Sequence, residues 1–122
     1  MNKNYKDITS FEAACKTENL DAAMLIETWS NLGLTKDEIA YKKLKVFAKA
    51  INGDWTPKMG NANEWKYYPW FRVNAAGSGF SHSSYDGDYT VTSVGSRLCF
   101  KTSEQALHAA KFGEQMYIEF LL

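Results

Sequence analysis

Residues 65–72 hold five aromatic side chains and one proline, and this segment constrains the fold more than any other. In a β-strand, alternate side chains point to opposite faces. One face, which we expect in the core, carries Trp65, Tyr67, Pro69, Phe71 and Val73. The other face interleaves aromatic and cationic side chains: Lys66, Tyr68, Trp70 and Arg72. Because proline cannot donate to the hydrogen-bond ladder, Pro69 predicts an edge strand or a bulge.

Further short strands are predicted after the aromatic segment. Residues 80–85 form the second strand, and Asp86 and Gly87 follow as a two-residue hairpin turn. Residues 89–94 are rich in threonine and valine, which suit a pleated surface, and predict the third strand. Residues 97–100 predict a short fourth strand. The sequence therefore favours an antiparallel sheet of three to four strands.

Helix-start signals lie on both sides of the predicted sheet. In a capping box, a threonine side chain caps the first turn, and a glutamate or glutamine three residues later reaches back to the threonine amide. The three pairs are Thr9 with Glu12, Thr35 with Glu38, and Thr102 with Gln105. The corresponding predicted helices cover about 10–17, 35–51 and 103–120.

Another helix is predicted between the first two. Asn19 or Asp21 can start it, and Gly33 can end it in the left-handed conformation. Its apolar face consists of Ala22, Ala23, Leu25, Ile26 and Trp29. The 35–51 helix buries Ala40, Leu44, Phe47, Ala48 and Ile51, and the last helix buries Ala106, Ala109, Ala110, Gly113, Tyr117 and Phe120.

These elements predict a single α+β domain over residues 1–122. N-terminal helices precede the short antiparallel sheet, and the C-terminal helix packs on the sheet. A chain of 122 residues is long enough to bury a core without metal or disulfide. Residues 1–8 are polar and are expected to fray.

The charges balance overall but not locally. Fourteen basic and fourteen acidic side chains cancel, so no net field steers the chain toward nucleic acid or a membrane. Residues 1–35 carry three basic and five acidic side chains, whereas residues 36–72 carry eight and four. No apolar run is long enough to span a membrane, and no signal peptide is visible. We therefore expect a cytoplasmic protein with two reduced, buried thiols, Cys15 and Cys99.

No residue set carries a catalytic or metal-binding signature. Cys15, Cys99, His82 and His108 lack ligand spacing. Cys99 has cationic neighbours at 97 and 101 that could activate its thiol, but a buried strand cysteine is the simpler interpretation. We therefore predict no enzyme activity, no cofactor and no metal.

One predicted surface combines aromatic and basic side chains. It consists of Lys66, Tyr68, Trp70 and Arg72, with Lys42, Lys45 and Lys49 on the neighbouring helix. Aromatic side chains of this kind pack cores and homo-oligomer interfaces, and they also bind protein partners. Proteins also bind single-stranded nucleic acid by stacking bases on aromatic side chains that lie beside basic residues. The sequence leaves these alternatives open.

Four motifs in order carry a resemblance to a known family. They occupy residues 37–44, 52–57, 67–71 and 95–102. With them, residues 9–122 resemble small uncharacterised proteins encoded by phages and prophages of gut Bacteroidales. The last helix of those relatives is richer in tyrosine and glycine, whereas this chain has His108 and Lys111 there. The resemblance implies a phage accessory protein acting inside a bacterial host cell, and it assigns no activity and no site residues.

We therefore expect a non-enzymatic accessory protein that binds a protein partner or self-assembles. Single-stranded nucleic-acid binding through the aromatic and basic face is the alternative.

Overall fold

The computed structural model describes residues 4–55, 66–73, 80–88 and 98–121. Within 66–73 and 80–88 it describes the backbone together with the side chain of Tyr67. After a 3-10 turn at Tyr5–Asp7, the elements in order are α1 (Phe11–Thr17), α2 (Ala22–Asn31), α3 (Lys36–Asn52), β1 (Lys66–Val73), β2 (Phe80–Asp88), α4 (Ser103–Phe112) and α5 (Glu114–Leu121).

The structure is mostly helical, and the prediction of an α+β domain with a three- to four-stranded sheet is wrong. The described core is built by packing helix on helix: α3 contacts α1, α4 and α5. Its buried side chains lie on α1, α3, α4 and α5, with Ile8, Cys99 and Phe100 from the adjoining segments. The prediction failed because alternating aromatic residues were taken for a core-forming sheet face, whereas the helical stripes supply the described core.

The extended segments form a two-stranded hairpin beside α4. β1 and β2 pair antiparallel from Lys66 opposite Asp88 to Val73 opposite Phe80, with an irregularity between Trp70 and Arg72. Both strands contact α4. The hairpin is therefore an addition to the helical core.

Two details of the predicted strands are also wrong. Gly87 lies inside β2 opposite Tyr67, so Asp86 and Gly87 do not form the predicted turn. The predicted strand at 97–100 is reduced to one bridge, in which Tyr67 and Phe100 exchange N–H···O bonds of 3.0 and 2.6 Å. The predicted strand at 89–94 lies outside the described residues.

Side-chain caps fix where the helices begin. Ser10, and not Thr9, caps α1, because its hydroxyl oxygen accepts the Ala13 amide at 3.0 Å. The predicted capping box of α3 is confirmed, with the Thr35 amide donating to Glu38 at 2.8 Å. Hydrogen bonds from the Thr35 amide and hydroxyl lower the pKa of the Glu38 carboxyl. The box at the start of α4 is confirmed as well.

Left-handed residues end the first two helices. Asn19 has φ 59° and follows α1, and the Leu20 amide then donates to Cys15 O at 2.8 Å. Gly33 has φ 75° and follows α2, where we predicted it. Both ends satisfy carbonyl groups that a helix terminus otherwise leaves without partners.

The predicted apolar faces of α3 and of the last helical segment are confirmed as buried or half-buried. The single predicted helix over 103–120 is wrong, since α4 ends before Gly113 and α5 begins at Glu114. At the N-terminal end, residues 5–7 form the 3-10 turn, and Ile8 is 2% exposed in the core.

Candidate functional site

The aromatic and basic side chains predicted as a binding surface lie on β1. The backbone places Lys66 opposite Asp88, and Tyr68 opposite Asp86. Trp70 and Arg72 lie on either side of the irregularity. The side chains of these four residues lie outside the described part of the structure. Their use in nucleic-acid binding therefore stays a prediction.

The α3 lysines of that predicted surface make contacts within the domain. The Lys45 ammonium lies 5.2 Å from the centre of the Tyr41 ring. Lys49 Nζ lies 3.6 Å from Glu18 Oε1, and its side chain is 69% exposed. Contacts of this kind between partly exposed side chains are weak. Lys42 is half-buried on the same helix. α3 packs on other helices, while the hairpin contacts α4.

A different surface stands out on α2. Of the five described α-helices, α2 is the one in which no residue is fully buried. Its inner face packs partly against the core through Ala22, Leu25, Ile26 and Trp29. Ala23, which we predicted on this face, is exposed instead. α2 is therefore only partly covered by the rest of the domain.

An apolar stripe runs along the outward side of α2. Leu20 is 42% exposed, Met24 58% and Leu32 69%. With the exposed Thr28, these residues recur every four positions. Met24 and Thr28 lie one turn apart on α2, Leu20 directly precedes the N-cap residue Asp21, and Leu32 is the C-cap residue. We call Leu20, Met24, Thr28 and Leu32 the outer stripe. Its apolar members are half of the large hydrophobic residues found exposed among the described side chains.

Sequence reasoning missed the outer stripe. It assigned the apolar residues of α2 to one inner face, although α2 carries apolar residues on both sides. The four-residue spacing from Leu20 to Leu32 was a visible signal, and so was the single charged residue, Glu27, within α2.

Few contacts hold α2 in place. Asp21 caps its start by accepting the Met24 amide at 3.1 Å. The rings of Phe11 and Trp29 pack in a tilted arrangement with centroids 6.1 Å apart. α2 contacts α1 and α3. Its caps and its inner face position the outer stripe toward solvent.

The charges nearest the outer stripe in sequence are acidic, and the exposed Lys16 and Lys36 flank them on either side. Residues 17–35 contain three carboxylates and no lysine, arginine or histidine. Asp21 and Glu27 are exposed, whereas Glu18 pairs with Lys49 of α3. The last turns of α1, α3 and α4 each carry a basic residue, but the last turn of α2 carries none.

The described histidine and cysteine side chains are hydrogen-bonded or packed within the domain. His108 Nε2 lies 2.7 Å from the Ile8 carbonyl oxygen, to which it donates, and its ring contacts Tyr5 and Phe112. Cys15 and Cys99 are buried thiols. Burial, and then the nearby Glu12 and Asp21 carboxylates, raise the pKa of the Cys15 thiol, which is the reverse of nucleophile activation.

Metal ligation has no candidate within the described residues, where no three His, Cys, Asp or Glu side chains come together. Burial also raises the pKa of the Tyr117 hydroxyl. His82 lies outside the residues whose side chains are described.

No protein-family model, curated protein sequence or solved structure matches this chain. In the described part of the chain, every helix is too short or too polar to cross a membrane.

Proposed function

We propose that this protein is a non-enzymatic accessory protein of phage type that acts inside a bacterial cell by docking a protein partner on the outer stripe of α2. The observation that carries the proposal is the exposure of Met24 on α2, and of Leu20 and Leu32 at its two ends, on a helix that buries no residue fully. The phage setting is supported by the sequence resemblance.

The physical case begins with the length of α2. A helix of ten residues is marginal in water, so it depends on packing along its sides. The domain packs the inner face partly and leaves the outer stripe in water. Covering a large apolar side chain contributes about 1.5–3 kcal/mol when burial is complete. A partner that covers Met24 and Leu32 would therefore gain affinity and also stabilise α2.

The spacing of the outer stripe suits helix recognition. Partners that bind an amphipathic helix contact anchor residues one turn apart on the same side. Leu20 and Met24 are four residues apart, and Leu32 lies about two turns beyond Met24. The contact would then be a helix laid along α2, with the anchors of both helices interleaved.

The test compares Met24→Glu with Leu121→Glu. Leu121 is 54% exposed on α5, so it matches Met24 in exposure and in the charge introduced. Each variant is used to capture partners from bacterial cells, and its mass is measured by light scattering. We expect partners held by the wild-type chain and by Leu121→Glu to be lost from Met24→Glu, with all three chains monomeric.

Two results would contradict the proposal. Equal capture by both variants would show that the outer stripe is not the docking surface. A dimeric wild-type chain that becomes monomeric in Met24→Glu would show that the stripe serves self-assembly instead. Circular dichroism of each variant verifies that α2 remains folded.

A further inference from the structure

The charges beside the outer stripe distinguish one class of partner from others. Building on the proposed docking surface, we infer that the partner presents a cationic amphipathic helix, with lysine or arginine flanking its apolar anchors. The inference rests on the placement of the carboxylates and on the lack of a basic residue in the last turn of α2.

Two exposed carboxylates lie beside the outer stripe, one at its Leu20 end and one at its middle. Asp21 is exposed next to Leu20 at one end. Glu27 is exposed, three residues after Met24 and next to Thr28. Residues three apart are neighbours on a helix surface, so Glu27 borders the stripe at its middle. A helix whose apolar anchors meet the stripe would place its flanking side chains near both carboxylates.

The carboxyl end of α2 adds to the same preference. The last carbonyl groups of a helix carry a partial negative charge that favours cations. α1, α3 and α4 place Lys16, Lys49 and Lys111 there, whereas α2, like α5, has no basic residue in its last turn. A cation from the partner near Leu32 would therefore meet a favourable field.

The same charges disfavour a second copy of this chain as the occupant. Two α2 helices packed against each other across a two-fold axis would contribute the same surface twice. Asp21 and Glu27 of both copies would then enter one interface with no basic residue from either α2. Like charges brought together in an interface oppose association. An anionic membrane surface is disfavoured for the same reason.

The test uses three synthetic helical peptides, about 14 residues or four turns long, that share leucine anchors. Their polar positions are lysine, glutamine or glutamate. Each is titrated into the full ¹⁵N-labelled chain at low and high salt, and backbone amide shifts are followed. We expect the lysine peptide to shift the amides of residues 20–33 and to bind about tenfold more tightly than the glutamine peptide at low salt. We expect the glutamate peptide not to bind.

A matched pair of variants isolates the charge. Glu27→Lys should weaken binding of the lysine peptide and permit binding of the glutamate peptide. Glu104→Lys, on the exposed first turn of α4, makes the same change away from the outer stripe and should leave both affinities unchanged. The affinity of the lysine peptide should fall with salt in Glu104→Lys as in the wild-type chain.

The outcomes separate this inference from the proposed function. Equal binding of the glutamine and lysine peptides at residues 20–33 would overturn the cationic preference and leave docking on α2 standing. Failure of the lysine peptide to shift those residues would also overturn the inference. The proposed function is tested separately, by whether Met24→Glu loses the partners that the wild-type chain captures, and that result does not depend on which peptide binds.

Discussion

Gly113 is a position where an added side chain would force its neighbours to shift. A Cβ atom there would lie 2.8 Å from the Ala109 carbonyl oxygen and 2.9 Å from Phe47 Cε2. Phe47 is fully buried in the core, so its ring has little room to move. Gly113 thus allows the junction between α4 and α5 to pack directly on α3.

We expect Gly113→Ala to lower the free energy of unfolding by about 1–3 kcal/mol, because the added methyl group overpacks the core. Alanine also reduces the conformational entropy of the unfolded chain, and this gain of about 0.4–1 kcal/mol offsets only part of the loss. Urea denaturation measures the change.

The control is the same substitution in a Phe47→Leu background, where the clashing ring atoms are removed. In that background, Gly113→Ala should lower the free energy of unfolding by less than it does in the wild-type chain. Equal losses in the two backgrounds would show that contact with Phe47 is not the cause.

Single residues also mark the limit of prediction from sequence. The small residues Ala106, Ala109, Ala110 and Gly113 were correctly predicted to face inward, because their spacing is a local property. The break at Gly113 was not predicted, although a glycine inside a helical pattern can mark the end of a helix. The close contact of Gly113 with the Phe47 ring could not be predicted, because it depends on how α3 packs against the end of α4.

At the scale of elements, the end of α3 is joined to the start of α4 by side-chain amides. Asn52 Nδ2 donates to the Cys99 carbonyl oxygen at 2.9 Å, and Asn52 Oδ1 accepts the Lys101 amide at 3.3 Å. Gln105 Nε2 donates to the Ile51 carbonyl oxygen at 3.1 Å. These bonds bridge segments roughly fifty residues apart in the sequence.

We expect Asn52→Ala to lower the free energy of unfolding by about 1–3 kcal/mol, because both bonds of the Asn52 amide are lost and the one to the Cys99 carbonyl is partly buried. Thermal and urea unfolding measure the loss. Asn31→Ala, at the exposed end of α2, is the matched control and should change stability by less than about 0.5 kcal/mol. A loss at Asn52 no larger than the loss at Asn31 would contradict this role.

The elements show why helices were predicted better than the hairpin. Caps and left-handed ends act within four residues, so Asp21, Gly33, Thr35 and Thr102 could be read directly from the sequence. The pairing of β1 with β2 is non-local. The bridge from Tyr67 to Phe100 and the register opposite Gly87 are not encoded in a dipeptide turn signal. Part of the predicted binding surface depended on that sheet, whereas the outer stripe of α2 depends on local helical spacing.

At the scale of the whole molecule, burial is unequally shared among the helices. α3 contributes six buried residues and packs on the other four helices, whereas α2 contributes none. Segments with few buried apolar groups open locally at a lower free energy than the core. The helix that carries the proposed docking surface is therefore also the one that the domain holds least firmly.

The unequal burial of α2 and α3 predicts a difference between their rates of native-state hydrogen exchange. We expect the slowest amides of α2 to exchange at least about a hundredfold faster than those of α3, which corresponds to about 2.8 kcal/mol between their opening free energies. Asp21→Ala removes the cap of α2 and should accelerate amide exchange in α2 by roughly a further fivefold, because such caps contribute about 1 kcal/mol to stability. The protection of α3 should stay unchanged, since Asp21 is exposed and α2 opens without the core. If the amides of α2 and α3 exchange at the same rate, and Asp21→Ala accelerates both equally, the two helices unfold as one unit and this prediction is wrong.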